Sequence, residues 1–168
     1  MEMERRSGFA VEADAISVLT SDHEEVRQMF AAYQDLIDEE AGDEEKLALA
    51  EQICQSLTVH ATLEDEIFYP AARLELEEEE LLDEAEVEHA IVRGLIEEIQ
   101  EMDVAEQLFD AKVKVLGDYV SHHVQQEEDE LFPKLEQSEL DLDALGEEML
   151  ARKQVLTAEV EAESDADV

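Results

Sequence analysis

A histidine and a glutamate one helical turn apart occur twice in this chain, as His60 with Glu64 and as His123 with Glu127. The surrounding segments, HATLEDEIFYP from residue 60 and HHVQQEEDELFP from residue 122, also align Asp65 with Glu128, Glu66 with Asp129 and Pro70 with Pro133. One site built twice is the simplest reading. Two more histidines, His23 and His89, are each followed four residues later by an arginine, Arg27 and Arg93. The repeat therefore covers whole hairpins, with a lone histidine on the first member and a His-x-x-x-Glu pair on the second. It predicts a pseudo-twofold axis through the site.

Each residue has an ordinary reading as well. A lone histidine in a helix seam is commonly a core residue satisfied by one hydrogen bond. Glu64 and Glu127 fit that reading badly, because a carboxylate on an apolar stripe carries a desolvation penalty on the order of several kcal/mol unless it is paired or protonated. Only Arg27 and Arg93 lie near the right turn to pair with them. A metal site explains the whole set, since a cation offsets the burial of carboxylates and takes neutral imidazole nitrogens as donors. Four imidazoles and two carboxylates favour two metals: with both carboxylates bridging, each metal receives two nitrogens and two oxygens and keeps an open position. That stoichiometry suits oxygen-active iron or manganese, whereas structural zinc needs only four ligands and calcium avoids imidazole.

Other chemistries fit less well. Ferritin-like carboxylate bundles need Glu-x-x-His on two helices, and the chain has that spacing at Glu86 and His89, with Glu86 off the seam. No Ser or Cys shares the histidine stripe, which argues against nucleophilic catalysis. Cys54 is alone and reads as a small buried apolar residue. His122 lies about 100° around the helix from His123 and is followed four residues later by Gln126, so it stays outside the ligand set.

The elements that must carry these residues are long helices. With 5 Gly and 2 Pro the chain has few turn signals. Ile16, Leu19, Val26, Phe30, Tyr33 and Ile37 form one stripe with His23 in its gap, and Gly42 is the expected stop. A second helix over about 43–69 carries Ala50, Ile53, Leu57, His60, Glu64 and Ile67 and is expected to end or kink at Pro70. A third, over about 80–103, carries Leu82, Ala85, His89, Val92, Ile96 and Ile99. A fourth, over about 105–134, carries Val113, Leu116, Val120, His123, Glu127 and Leu131 and stops at Pro133. Short connections imply an all-α, up-down-up-down antiparallel four-helix bundle. An additional C-terminal helix over about 143–160, with Leu145, Met149, Leu156 and Val160, would pack outside the bundle or pair with another subunit. The expected organisation is a flexible N-terminal arm (1–12), the bundle (13–135), the accessory helix (136–160) and an acidic, frayed tail (161–168).

Composition narrows the partners. A chain of 168 residues with 45% hydrophobic residues suits one globular domain. Forty-nine acidic residues against 11 Lys and Arg give a net charge of -38, a surface that repels nucleic acid and anionic lipid. No apolar run approaches a membrane span and no signal peptide is evident, so a cytoplasmic protein, monomer or homodimer, is expected.

The ordered set of His23, His60-x-x-x-Glu64 ending in a proline, His89, and His123-x-x-x-Glu127 ending in Phe-Pro resembles the hemerythrin-like, or HHE cation-binding, domain over roughly residues 16–135. The resemblance implies a four-helix bundle around a non-haem centre of two iron ions, oxo- or hydroxo-bridged, with Mn or Zn as substitutes. It implies His23, His60, Glu64, His89, His123 and Glu127 as ligands, Glu64 and Glu127 bridging. Oxygen-carrying hemerythrins place a second histidine four residues after the helix-three histidine, where this chain has Arg93. That departure points to the bacterial type and to handling of O2, peroxide or NO, or sensing of iron, oxygen or redox state. If turnover occurs, it would be a peroxide- or NO-processing activity. Arg27, Arg93 and Tyr119 are candidates to support the ligands, and Glu66, Glu128 and Tyr119 are the candidate acid or base groups beside them. The competing expectation is an iron-responsive or metal-free helical interaction module without redox chemistry.

Overall fold

A computed structural model describes residues 13–166; the expected N-terminal arm lies outside the described residues. Every regular element among them is helical. Helix α1 spans Ala15–Asp38, α2 Asp43–Leu63, α3 Tyr69–Glu75, α4 Glu79–Glu101, α5 Phe109–Gln126, α6 Phe132–Glu136 and α7 Leu142–Ala166. Single π-turns, Glu64–Phe68 and Glu127–Leu131, join α2 to α3 and α5 to α6 without a break. Helix α1 packs on α2 and α5, α4 packs on α5 and α2, and α7 lies across α1 and α2. The first four contacts close a ring around the interior.

Local chemistry accounts for most of the ends. Asp14 caps α1 by accepting from the Ser17 amide at 2.7 Å. The stop of α1 is Glu40, the one described non-glycine residue with a left-handed backbone (φ 54°), with Ala41 N–H donating back to Leu36 O. Gly42 instead precedes α2 as its N-cap, at φ -69°, so the expected glycine stop is one element too late. Asp43, Glu44 and Glu45 then occupy the first turn of α2, where the helix dipole favours negative charge.

The two prolines do not end their helices. In each π-turn the amide of the residue before the proline, Tyr69 or Phe132, donates five residues back, to the carbonyl of Glu64 or Glu127. The wider turn makes room for a proline ring that would otherwise strike a carbonyl one turn earlier, so the chain runs on to Glu75 and Glu136. It also re-aims the stripe: Phe68 and Tyr69 are buried where Ile67 was expected to be. At the far end α7 continues past Val160 to Ala166, and α5 starts at Phe109, later than the periodicity suggests.

Two apolar clusters divide the interior. One joins Leu19, Leu63, Phe68, Leu82, Leu131, Phe132 and Met149; the other joins Val26, Ile53, Leu57, Val92, Ile96, Leu116 and Val120. Between them in sequence register lies a layer of buried polar residues.

Candidate metal centre

Seven described polar or charged residues are buried: Asp22, His23, His60, Glu64, His89, His123 and Glu127. Helix α1 supplies His23, α2 His60, α4 His89 and α5 His123, and each glutamate opens a π-turn one turn after its histidine. The six candidate ligands therefore come together from four helices at one level.

Their donor atoms form two groups. Atoms of His23, His60, Glu64 and Glu127 lie within 4.8 Å of one another, as do atoms of Glu64, His89 and His123. His23 Nε2 is 3.2 Å from Glu127 Oε1 and His60 Nε2 is 3.4 Å from Glu64 Oε2. On the other side His89 Nε2 is 3.0 Å and His123 Nε2 3.7 Å from Glu64 Oε1, while His123 Nε2 is 3.6 Å from Glu127 Oε2. The halves mirror each other: the His23 and His60 rings have centroids 4.9 Å apart at 63°, the His89 and His123 rings 4.8 Å apart at 62°.

Every imidazole is held from behind by a carboxylate. Asp22 meets His60 Nδ1 at 2.9 Å, Glu88 meets His123 Nδ1 at 2.8 Å, Asp65 meets His89 Nδ1 at 2.9 Å and Glu128 meets His23 Nδ1 at 2.8 Å. The carboxylates obey the repeat: Asp22 and Glu88 each precede a lone histidine, and Asp65 and Glu128 each follow a buried glutamate. A proton on each Nδ1 leaves the Nε2 lone pair directed inward, the tautomer a metal ligand needs. Cations stand behind the carboxylates in turn. Arg27 bonds Glu128 at 3.0 Å, Arg93 pairs with Asp65 at 2.5 Å and Lys153 of α7 reaches Asp22 at 2.5 Å. Behind Glu88 stands the exposed His122, at 3.2 Å, so that residue touches a supporting carboxylate and not the cluster.

The inward atoms lack partners. His23 Nε2, His60 Nε2, both Glu64 oxygens and Glu127 Oε1 are fully buried without a hydrogen bond. His89 Nε2 and His123 Nε2 face each other at 3.2 Å, although each ring spends its other nitrogen on a carboxylate. Lone pairs converging on one space are unfavourable unless a cation or a proton sits there. The field says the same. Burial pulls the His60 pKa down, but Glu64 and Asp22 outweigh it and hold it up at about 10. His123 rises to about 11 against burial through Glu127, Glu64 and Glu88, and His89 to about 9 through Asp65 and Glu64. Burial opposes ionisation of Glu64, yet His60 and the surrounding donors keep its carboxyl well below the usual range. Burial and the Glu64 charge push Glu127 up. The cluster attracts positive charge.

Tyr69 completes it, a residue that neither the stripe nor the repeat singles out. Its buried hydroxyl donates to Glu127 Oε2 at 2.7 Å and lies 3.0 Å from His123 Nε2 and 3.4 Å from His89 Nε2. Burial and both glutamates raise its pKa well above the ordinary value. The equivalent position in the repeat is Phe132, whose ring lies parallel to His23 at 5.9 Å. Tyr119, by contrast, is 41% exposed and makes no hydrogen bond among the described residues. It sits about 100° around α5 from the buried Val120, which corrects its placement near the ligands. Glu66 also faces away, pairing with Arg152 of α7 at 2.9 Å.

The family profile described as the hemerythrin HHE cation binding domain matches residues 14–135. The chain belongs to that family. A solved hemerythrin HHE cation-binding domain-containing protein from Mycobacterium kansasii shares the fold, with a TM-score of 0.71, 23% identity and coverage of 87% of this chain and 88% of that one. A curated Nostoc protein called a DNA nickase is 33% identical over 119 residues, which are 68% of this chain and 31% of that protein. This hemerythrin HHE chain thus spans under a third of that relative. Among its described residues no helix is long and apolar enough to cross a membrane.

Proposed function

We propose that this hemerythrin HHE domain binds two iron ions in the buried cluster and handles O2, peroxide or NO there. His23 and His60 would hold one iron, His89 and His123 the other, and Glu64 and Glu127, each of which approaches a histidine of either half, would bridge them. The ring of helix contacts supports an antiparallel up-down-up-down bundle around that centre. The observation that carries the proposal is the set of buried nitrogen and oxygen atoms that face one another with no hydrogen-bond partner. Bound iron would supply redox-linked binding of the small ligand at an open coordination position.

The chain's own residues do the rest. Asp22, Asp65, Glu88 and Glu128 fix the imidazole tautomers and orient the rings. Tyr69 keeps a proton at its hydroxyl beside Glu127 Oε2, close enough to pass it to a ligand arriving in the His89 and His123 half. The apolar clusters on either side keep bulk water away. A net charge of -38 gives no support to DNA as a partner.

Iron analysis and an optical spectrum in air, before and after azide, test this reading. About two irons per chain with an oxo-bridged ferric band that azide alters are expected; a protein that takes up no iron, manganese or zinc refutes it. An iron-responsive module is the second reading, favoured by the same unpartnered atoms, since filling them stabilises the fold. A metal-dependent melting temperature without any spectral response to azide, peroxide or NO would select it.

A further inference from the structure

A cleft of about 530 Å³ opens between α3 and α4 and is lined by Asp65, Tyr69, Arg73, Glu86, His89 and Arg93, with Ala90 at its rim. Tyr69 and His89 are members of the buried cluster and both line the cleft, which therefore lies against one half of it. The repeat has a corresponding place on the other half, and there it is built differently. Phe132 stands where Tyr69 would be, stacked on His23 and edge-to-face with Phe68 at 5.7 Å, an apolar wall where the cleft has a hydroxyl. By the same register Glu136 replaces Arg73 and Glu24 replaces Ala90.

We infer that the cleft is the access route for the exogenous ligand, which therefore binds in the His89 and His123 half, next to the Tyr69 hydroxyl. The inference rests on the proposed iron centre and adds a side to it. Ion pairs frame the opening. Arg73 pairs with Asp83 at 2.8 Å and approaches Glu86 at 3.4 Å, while Arg93 pairs with Asp65. Two cations against three carboxylates leave the mouth slightly negative, on a chain whose net charge is -38. The opposite side, with Glu24 and Glu128 against Arg27, carries a similar charge, so the cleft and the Tyr69 hydroxyl, not charge, set the two halves apart. The ligand class that fits is a neutral or singly charged molecule of a few atoms, such as hydroperoxide, azide or nitric oxide.

Symmetry supplies the control. Ala90 and Glu24 are both exposed, and each follows a lone histidine of the cluster by one residue. Ala90→Cys and Glu24→Cys, in the full iron-loaded chain, are each joined to a bulky maleimide; Cys54 is 1% exposed and stays unlabelled. Stopped-flow absorbance then follows azide binding, with circular dichroism and iron content checking fold and loading. Label at Ala90→Cys should slow azide binding by about tenfold or more, and label at Glu24→Cys by less than about twofold. Ala90→Trp should slow it in the same direction without any label. Equal slowing by the two labels, slowing only from Glu24→Cys, or no change from either overturns the route while leaving the iron centre in place. Absence of any azide-sensitive iron band overturns both.

Discussion

Removing metal should give this protein a pH dependence that the loaded form lacks. In the metal-free fold His60, His89 and His123 are held at about 10, 9 and 11, against 6.5 for an ordinary imidazole. Above pH 6.5 the folded chain then keeps protons that the unfolded chain releases. The stability these protons contribute is full below pH 6.5 and is lost as pH rises toward the folded values. Each extra proton costs about 1.4 kcal/mol per pH unit. The histidines repel one another, so one net proton is the cautious figure, worth about 3–6 °C in melting temperature per unit for a chain of this length. Bound cations would take the protons' place, and the loaded protein should melt at a nearly constant temperature over the same range. Circular dichroism melts at about pH 6.5, 7.5 and 8.5, with chelator and with iron(II) under nitrogen, check both arms. A metal-free protein whose melting temperature holds steady or rises with pH would refute the electrostatic reasoning.

Tyr69→Phe removes a buried hydrogen bond to a carboxylate and should lower stability by about 1.5–3 kcal/mol in denaturant titration of the metal-free protein; unchanged unfolding would show that the phenol is not tied to Glu127. Asp22→Ala frees His60 Nδ1 and should weaken iron binding roughly 10- to 100-fold in a chelator competition. Lys153→Met should act in the same direction more weakly, and an iron affinity equal to that of the unaltered chain would detach α7 from the site. Gly146→Ala places a Cβ against the Ala13 carbonyl oxygen and the Asp14 backbone, where α7 crosses the start of α1. It should destabilise by about 1–3 kcal/mol by the same titration.

The stripes were readable because burial imposes a strict period: Ala50, Ile53, Leu57, His60 and Glu64 are all buried as their spacing requires. The six candidate ligands stood out for the opposite reason, being ionisable residues at positions where apolar ones belong. Their supports were hidden. Asp22 and Glu88 are two of 49 acidic residues, and only the repeat, which puts each one residue before a lone histidine, sets them apart. Tyr69 aligns with Phe132 and so reads as one more aromatic before a proline; the hydroxyl that makes it different has no periodic signature. The prolines misled because a helix interior normally cannot absorb one, and the π-turns that do so depend on hydrogen bonds five residues back, which no side-chain pattern announces. Lys153 lies some 130 residues from Asp22 in sequence and belongs to a helix outside the repeat.

The π-turns also make chain length, more than residue identity, the sensitive quantity on this face. Each contains one residue beyond what an α-helix would need between the glutamate and the aromatic. Loss of a single residue from 65–68 would return the segment to α-helical winding with Tyr69 four residues after Glu64 and still on its face, while Pro70 met the carbonyl it now avoids. Substitutions at the exposed Glu66 change little of that geometry; a one-codon deletion beside it removes it, and drift in this domain should accept the first far more readily than the second.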